Sequence, residues 1–374
     1  MTGAVRDTSV GMPFAALQQT GAFIAGQQYP NGQIPWFRGH FADPWDHVEA
    51  AMALGVVGRT EESRAAIGWL AATQRADGSW PMETLRDGVA GTDLVTEPTA
   101  DSNQSSYVAV GLWHDFLLTG DRPYLEQHWD MLERAIELVV AAQLPSGAIS
   151  WGKSPMGEWV DEALLTGSSC IVLSLAAALA VADTLGHDRP HWALARDLLV
   201  DAVQQPDPSP SPSPVPFRWN SNEKARARFV DKRRYSMDWY YPVLGGAVTG
   251  DAGSRLIDTR WADFVVPGYG IRCVEDHPWA TPAESCELVI ALDLLGRREE
   301  ALLILADVEM HRDDDGGYWT GYVWPDEAIW PEEKTTWTAA AVILAHDTVF
   351  SLTSASGMFR ALAGPTHTPS VRTR

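Results

Sequence analysis

Carboxylate and aromatic side chains occur together at the starts of six apolar segments. The first start holds Asp43, Trp45, Asp46 and His47. Two carboxyl groups that flank a glycosidic bond can act as general acid and general base, and aromatic rings stack on the apolar faces of sugars. Each acid taken singly is more typical of a helix N-cap. There it accepts hydrogen bonds from free N–H groups, and its negative charge is stabilised by the positive end of the helix dipole. Their repetition favours a shared site.

The other five starts have the same composition, with acidic or amide side chains beside aromatic ones. They hold Asp101, Asn103 and Gln104; Glu158, Trp159, Asp161 and Glu162; Tyr235, Asp238, Trp239 and Tyr240; Glu275, Asp276, His277, Trp279 and Glu284; and Trp330, Glu332, Glu333 and Trp337. If the segments form a ring of helices, these groups converge at one end of its axis. The pattern therefore predicts an acidic funnel walled with indole rings.

Two kinds of predicted helix alternate along the chain. Charged amphipathic segments lie at 13–28, 60–74, 122–143, 189–204, 252–265 and 297–310, and apolar ones at 43–57, 101–119, 161–185, 236–250, 282–296 and 335–351. A helix that is apolar on all sides must be buried on all sides. A repeat of six helical hairpins predicts an all-α fold, an (α/α)6 barrel with the apolar helices inside. We expect one domain over 1–362 with a Pro/Ser-rich insertion at 206–216, and a flexible tail at 363–374.

The two kinds of connection differ in length. Short turns such as Thr119-Gly120-Asp121 lead from apolar to amphipathic helices and combine a glycine C-cap with a new N-cap. The return links are long and hold most of the tryptophans. Several contain a Gln/Asp…Gly…Trp pattern, as in Gln28…Gly32…Trp36, whose indoles either line a site or plug gaps between loops. Long ordered loops on one side of a scaffold predict that this side carries the site.

Composition limits the partners. The chain has 374 residues, a formal net charge of -21 and 45% hydrophobic residues. The charge argues against nucleic acids and anionic membranes and favours a neutral substrate such as a carbohydrate.

Cys170, Cys273 and Cys286 form no regular framework, and the start of the chain has no apolar signal segment, so we expect free thiols and a cytoplasmic protein. The apolar run 164–185 predicts a buried core helix rather than a membrane span. A homo-oligomer remains open.

For the catalytic pair the sequence favours Asp46 and Glu275. Pro44 suits the first helical position, which makes Asp43 the N-cap and leaves Asp46 available. Glu275 lies in the loop Cys-Val-Glu-Asp-His-Pro-Trp, which is unusually rich in polar groups. A carboxyl separation of about 6.5–9.5 Å would leave room for a water molecule and imply inversion, and burial among acids would raise the pKa of the general acid.

Other residues are expected to bind the substrate, and three acids are alternatives to the catalytic pair. The reserve acids are Glu284, Asp161 and Asp101. The sugar platforms are Trp36, Trp45, Trp159, Trp239 and Trp279, and the polar substrate-binding candidates are Arg38, Asp43, His47, Asn103 and Asp238. The sequence has no dinucleotide, P-loop or GxSxG motif, and His40, His47 and His277 lack the HExxH spacing of a zinc site. No metal or cofactor is predicted.

Two resemblances connect these residues to known families. The six-hairpin plan resembles the (α/α)6 glycosidases of the glucoamylase and trehalase type. The segment Gly-Glu-Trp-Val-Asp-Glu-Ala-Leu-Leu-Thr-Gly-Ser-Ser at 157–169 looks like their acid-bearing segment, and Trp-Pro-Glu-Glu-Lys-Thr-Thr-Trp at 330–337 is similar to their base-bearing one. The whole chain more closely resembles bacterial proteins often labelled prenyltransferase-like, which include hydrolases of methylmannose polysaccharide; Asn-Gly-Gln-Ile-Pro-Trp at 31–36 and Asp-Pro-Trp-Asp-His-Val-Glu-Ala-Ala at 43–51 carry the likeness. This resemblance implies an endo-acting α-1,4-mannosidase that cuts a cytoplasmic, partly methylated mannan.

Two other functions remain open from the sequence. The Gln…Gly…Trp links also resemble repeats of terpenoid cyclases and protein prenyltransferases, which would need an Asp-rich motif at an apolar cavity. The run Asp313-Asp314-Asp315 is the candidate, although Arg312 is its only cationic neighbour. A non-catalytic glycan-binding toroid would use the same aromatic funnel without releasing reducing ends.

Overall fold

The computed structural model describes residues 11–205 and 229–364. The helices are, in chain order, α1 (Phe14–Gln27), α2 (Pro44–Val56), α3 (Thr60–Thr73), α4 (Ser102–Ser106), α5 (Val108–Thr119), α6 (Arg122–Ala141), α7 (Leu165–Leu185), α8 (Pro190–Gln204), α9 (Met237–Leu244), α10 (Gly250–Phe264), α11 (Pro282–Leu294), α12 (Arg298–Val308), α13 (Thr336–Phe350) and α14 (Met358–Leu362). The predicted insertion at 206–216 lies outside the described residues, as does the predicted tail beyond residue 364.

The first inner helix, α2, shows how the sequence starts a buried helix. Asp43 is the N-cap, and its carboxylate accepts hydrogen bonds from the backbone N–H groups of Trp45 at 3.0 Å and Asp46 at 2.9 Å. Pro44 occupies the first helical position, where its missing N–H costs nothing. The small apolar residues that follow are buried on every side, as their composition predicts.

The helices pack in two layers. In the inner layer α2 packs against α5, α5 against α7, α7 against α9, α9 against α11, α11 against α13, and α13 against α2. In the outer layer α3, α6, α8, α10 and α12 each pack against the inner helix that precedes them in the chain, and α1 packs against α13 and α2. The protein is mostly helical, and the alternation of inner and outer helices agrees with the sequence pattern.

The Gln…Gly links connect neighbouring outer helices. The side-chain amides of Gln28, Gln74 and Gln143 donate to the carbonyl groups of Gly32, Gly78 and Gly147 and also to carbonyl groups of Glu62, Met131 and Ala195 on the next outer helix, at 2.8–3.0 Å. The three glycines have positive φ, and an added Cβ would lie 2.1–2.6 Å from a backbone oxygen of that next helix. Only glycine permits this approach. Gly316, which follows α12, lies against Gln19 of α1 in the same way. An added Cβ on Gly316 would lie 2.9 Å from the backbone oxygen of Gln19.

Three apolar segments differ from the predicted helices. The segment 101–119 is divided at Tyr107 into α4 and α5, residues 161–164 precede α7 rather than belonging to it, and the segment 236–250 forms only the short helix α9. α9 ends before Gly245 and Gly246, and the positive φ of 77° at Gly246 takes the chain out of the helical conformation there.

The long links also contain strands, which the all-α prediction missed. They are β1 (Phe41–Ala42), β2 (Glu83–Arg86), β3 (Asp93–Glu97), β4 (Ala100–Asp101), β5 (Gly152–Lys153), β6 (Val265–Val266), β7 (Gly270–Arg272), β8 (Trp279–Thr281), β9 (Tyr322–Val323) and β10 (Ala328–Ile329). They pair antiparallel in the orders β1-β2-β3, β4-β5 and β10-β9-β8-β7-β6. Such short strands have too few residues to show an alternating pattern in the sequence.

The longest apolar helix lies in the core. α7 has the length and composition of a membrane span, but most of its residues are buried against α5, α8 and α9. This burial is what the sequence predicted for a core helix. Cys170 of α7 and Cys286 of α11 are buried and Cys273 is partly buried, and all three are unpaired.

Candidate active site

Aromatic side chains from the inner helices meet at a common centre. The ring of Trp45, on α2, has its centroid 5.6 Å from Tyr107, 5.8 Å from Trp337 and 6.4 Å from Tyr241. Tyr107 lies between α4 and α5, Trp337 on α13 and Tyr241 on α9. The starts of α2 and α13, the α4–α5 junction and the middle of α9 therefore meet, through Tyr107 and Tyr241 as well as the two indoles.

Two carboxyl groups are buried at this centre. Tyr107 donates its hydroxyl hydrogen to Glu49 of α2 at 2.9 Å, and Tyr241 donates to Glu287 of α11 at 2.6 Å. Tyr240 donates to the second oxygen of Glu287. Burial raises the pKa of Glu49 to about 7 and raises that of Glu287 well above its ordinary value, and the charge of Glu49 raises the pKa of Glu287 further. Both groups favour the neutral form because the charged form has lost its water.

Asp46 lies one helical turn before Glu49 and is 5% exposed. Burial raises its pKa well above the ordinary value, and the neighbouring Asp43, Glu49 and Glu287 raise it further. Asp43 itself has structural partners, since it caps α2 and accepts a hydrogen bond from the Trp36 indole at 2.9 Å. Burial and the neighbouring acids thus favour the protonated form of Asp46, which is the form that a general acid requires.

Glu275 has a different environment. It lies in the loop between β7 and β8, its side chain is 40% exposed, and its carboxylate forms an ion pair with Arg260 of α10. Among the residues that the structure describes, no contact joins Glu275 to Asp46. The predicted pair thus consists of one buried carboxyl group and one accessible, ion-paired carboxylate.

The reserve acids are distributed around the centre. Asp101 caps α4 by accepting from the Gln104 N–H at 3.0 Å, and burial raises its pKa to about 6. Glu284 is buried in the first turn of α11, where the Cys273 thiol donates to it. Asp161 is exposed in the link before α7. Glu284 is therefore the reserve acid closest in environment to the buried cluster, because its charge also acts on Glu287.

Two predicted binding residues are core residues instead. His47 is fully buried; its Nδ1 accepts from the Ile34 N–H at 3.0 Å and its Nε2 donates to the Ala66 carbonyl at 2.9 Å. Trp239 is buried, stacks on Phe264 with centroids 5.2 Å apart, and donates its indole N–H to the Ile257 carbonyl at 3.1 Å. Both side chains point towards outer-layer neighbours, so we reassign them from sugar binding to packing.

Asp238 also has structural partners. It accepts hydrogen bonds from the backbone N–H of Thr166 at 3.2 Å and from its hydroxyl at 2.7 Å, which ties α9 to the start of α7. Burial raises its pKa. Asn103, in contrast, has a buried side-chain oxygen for which the described residues provide no hydrogen-bond partner, so it keeps an acceptor available.

The remaining predicted platforms lie in the long links between helices. Trp36 stacks on His40 with centroids 5.6 Å apart, and Trp159 is half-buried beside Lys153. Trp279 is half-buried on β8. Arg38 is exposed and its guanidinium lies over the ring of Tyr29 at 4.7 Å.

Sequence reasoning missed Glu49 and Glu287, the two acids whose carboxyl groups are bonded to tyrosines at the centre. Each follows a first-turn acid by three residues, Asp46 in α2 and Glu284 in α11, and therefore lies on the same helix face. A carboxyl group in the second turn cannot cap the helix start. Its presence in an otherwise apolar helix was the signal that could have identified it.

Three further observations limit the chemistry. A surface cleft of about 440 Å³ beside β4 and β5 is lined by Arg75, Asp77 and Lys153 among others, but by none of the acids of the central cluster. Over 11–205 and 229–364, no group of three or more His, Cys, Asp or Glu side chains could hold a metal ion. Lys334 forms ion pairs at 2.6 Å with both Asp313 and Asp315, so these acids are engaged at the protein surface rather than in an apolar cavity.

Comparisons with known proteins agree with a glycosidase-like fold. No family model matches the chain. Similar solved structures include a glycosidase in complex with glucose, with a TM-score of 0.64 and 14% identity over 92% of this chain and 100% of that chain. D-mannose isomerase has a TM-score of 0.62 and 12% identity over 90% and 96% of the two chains. At such identities the likeness shows a shared fold alone.

One relative is much more similar in sequence. The chain is 47% identical over 349 residues to MMP endo-(1,4)-3-O-methyl-alpha-D-mannosidase from Mycolicibacterium hassiacum, across 93% of this chain and 90% of that protein. Identity at this level over nearly the whole length extends through both helical layers and the links between them. The chain therefore belongs to the family of the MMP endo-(1,4)-3-O-methyl-α-D-mannosidase.

Proposed function

We propose that this protein is a glycoside hydrolase that cleaves internal α-1,4 linkages of 3-O-methylated mannan, the methylmannose polysaccharide. The observation that carries the proposal is the 47% identity with the mannosidase over 93% of the chain. The buried acids and indoles at the inner-helix starts supply the groups that such a reaction needs. The net charge of -21 favours a neutral polymer over a phosphorylated one.

We further propose that the fold is a closed (α/α)6 barrel formed by one domain over 1–362. Two sets of contacts support closure. The last inner helix, α13, packs against the first, α2. In the outer layer, Gly316 after α12 lies against Gln19 of α1, just as the other link glycines lie against the next outer helix.

The proposed mechanism assigns Asp46 as general acid. Its proton passes to the glycosidic oxygen as the bond between that oxygen and the anomeric carbon breaks. A water molecule attacks the opposite face of the sugar and gives a proton to a second carboxylate, which inverts the configuration. Glu275 is the proposed base, because its exposed side chain and its ion pair with Arg260 fit a charged carboxylate that water can reach. Glu284 is the competing candidate.

The proposed binding surface consists of Trp36, Trp45, Trp159 and Trp279 with the Asn103 amide. Indole faces suit a partly methylated sugar because each methyl group replaces a hydroxyl hydrogen and lowers its polarity. We propose a cytoplasmic location, which the three unpaired cysteines support. The proposal requires no cofactor.

The experiment is digestion of methylmannose polysaccharide, unmethylated α-mannan and α-glucan by the purified protein. Mass spectrometry should show intermediate-length fragments early in the digestion of the methylated polymer, and proton NMR should show the inverted anomer first. Asp46→Asn serves as the control for contaminating activity. Release of no new reducing ends would favour the glycan-binding alternative, and turnover of a prenyl diphosphate with Mg²⁺ would favour the isoprenoid one.

A further inference from the structure

Two indole rings meet beside the five-stranded sheet, one on its central strand β8 and the other directly after its edge strand β10. Trp330 is 58% exposed, and its ring lies edge-on to that of Trp279, with centroids 5.2 Å apart and an interplanar angle of 75°. The Trp279 indole N–H donates to the Trp330 carbonyl at 2.6 Å. A tryptophan this exposed leaves a large apolar surface in water that the fold itself does not cover.

The sheet register places both indoles on the same face. Trp279 of β8 pairs with Val323 of β9, which pairs with Ala328 of β10. Ala328 therefore lies on the face of Trp279, and Trp330, just after the end of β10, reaches the same side, as the contact between the two rings shows. Ile329, between them, points to the opposite face.

The orientation of Trp279 is fixed by its surroundings. An added Cβ on Gly321 would lie 2.2 Å from the indole nitrogen, so the ring lies directly against the backbone of that glycine. The hydrogen bond to the Trp330 carbonyl holds the other side of the same group. The Trp279 ring is therefore held in place before any ligand binds, which lowers the entropic cost of binding.

The indole pair lies close in sequence to the starts of two inner helices, α11 and α13. Trp279 precedes Glu284 by five residues, so at full extension their Cα atoms are at most about 18 Å apart. Trp330 precedes Trp337 of the central aromatic cluster by seven residues. Both indoles therefore lie in the links that lead directly into α11 and α13.

We infer that Trp279 and Trp330 form a distal subsite that binds methylated sugar units away from the bond that is cleaved. This inference rests on the proposed function and adds a determinant of chain length to it. A long substrate covers the Trp330 ring, and a short one does not reach it. Binding energy gained there is present in both the ground state and the transition state, so it lowers KM and leaves kcat unchanged.

The test compares Trp330→Ala with Ile329→Ala, a neighbouring exposed residue on the opposite face of the sheet. For intact methylmannose polysaccharide, Trp330→Ala should raise KM about tenfold with kcat unchanged, which corresponds to about 1.4 kcal/mol. For the short oligosaccharides of the same polymer, its kcat/KM should equal the wild-type value. Trp330→Phe should restore most of the affinity, and Ile329→Ala should match the wild type on both substrates.

Two results would overturn the subsite: wild-type KM for the long polymer in Trp330→Ala, or equal losses on long and short substrates. Titration calorimetry with the intact polymer on an Asp46→Asn background tests binding without turnover. If the wild type cleaves no mannan, the proposed function fails, but a loss of polymer affinity on Trp330→Ala would still support the subsite. If the wild type cleaves the polymer and Trp330→Ala binds it equally well, the subsite alone fails.

Discussion

The hydroxyl group of Tyr107 donates a 2.9 Å hydrogen bond to Glu49, joining the α4–α5 junction to the second turn of α2. Both residues are buried beside Trp45, and the Glu49 carboxyl has its pKa raised to about 7, chiefly by burial. The hydrogen bond from Tyr107 lowers the pKa of Glu49, but by less than the burial of the carboxyl group raises it. Glu49 therefore changes charge near neutral pH within the packed centre.

Glu49→Gln should stabilise the protein at pH 8. Glu49 has its pKa raised from 4.5 to about 7, so its stabilising contribution is fully present below pH 4.5 and is lost as the pH rises through 7. Glutamine keeps an acceptor for Tyr107 and cannot ionise. The free energy of unfolding should rise by about 3 kcal/mol at pH 8 and stay unchanged at pH 4. Denaturant titrations at the two pH values measure this, with the exposed Glu61→Gln as control; equal effects at both pH values would contradict it.

Asp46→Asn should abolish turnover while the protein stays folded. Loss of a general acid lowers kcat by about 100-fold or more. In the wild type, kcat should fall as the pH rises through the raised pKa of Asp46, because the acid must be protonated. A pH profile of kcat and a thermal melt check both statements. The exposed Asp188→Asn, on the side away from the site, is the matched control; near-normal turnover in Asp46→Asn would remove Asp46 from the mechanism.

The identity of the base should emerge from Glu275→Gln and Glu284→Gln. We expect Glu275→Gln to lower kcat about 100-fold or more, because a glutamine cannot accept a proton from water. Glu284→Gln should lower it by less than about tenfold, since Glu284 is buried beside Cys273 and away from solvent. Steady-state kinetics with melting temperatures as a folding check decide between them. The reverse ranking would transfer the role to Glu284.

His47→Ala should reduce stability without changing substrate affinity. It removes two buried hydrogen bonds, to Ile34 and Ala66, and leaves a cavity between α2 and α3. The expected cost is about 2–4 kcal/mol. A lower midpoint of urea unfolding with wild-type KM would confirm a packing role. Unchanged stability with a raised KM would restore the original prediction that His47 binds sugar.

The repeated Gln…Gly pattern correctly located the links between helices, but it did not reveal that these residues join neighbouring outer helices. Their spacing predicted long ordered links between helices. Gln28 and Gly32 do lie in such a link, but their contacts join one outer helix to the next. Trp80, in another link, is buried, and its indole N–H donates to the Leu70 carbonyl. This indole therefore fills a gap between loops and does not line a site.

Trp45 and Trp239 had equal claims as sugar platforms from the sequence, because both follow an acid or proline at the start of an apolar helix. Trp45 points to the centre and Trp239 to the outer layer. A helix buried on every side has no polar face, so its composition does not reveal which residue faces the axis. The rotation of α2 and α9 about their own axes decided the difference.

By itself, the sequence determined the alternation of inner and outer helices and the short glycine turns that join them, because hydrophobic periodicity and glycine turns act locally. The tertiary structure alone decided which acids share the centre, that Glu49 and Glu287 approach from different helices, and that His47 and Trp239 turn away. These facts depend on packing between segments far apart in the chain, and the raised pKa values follow from the burial that this packing creates.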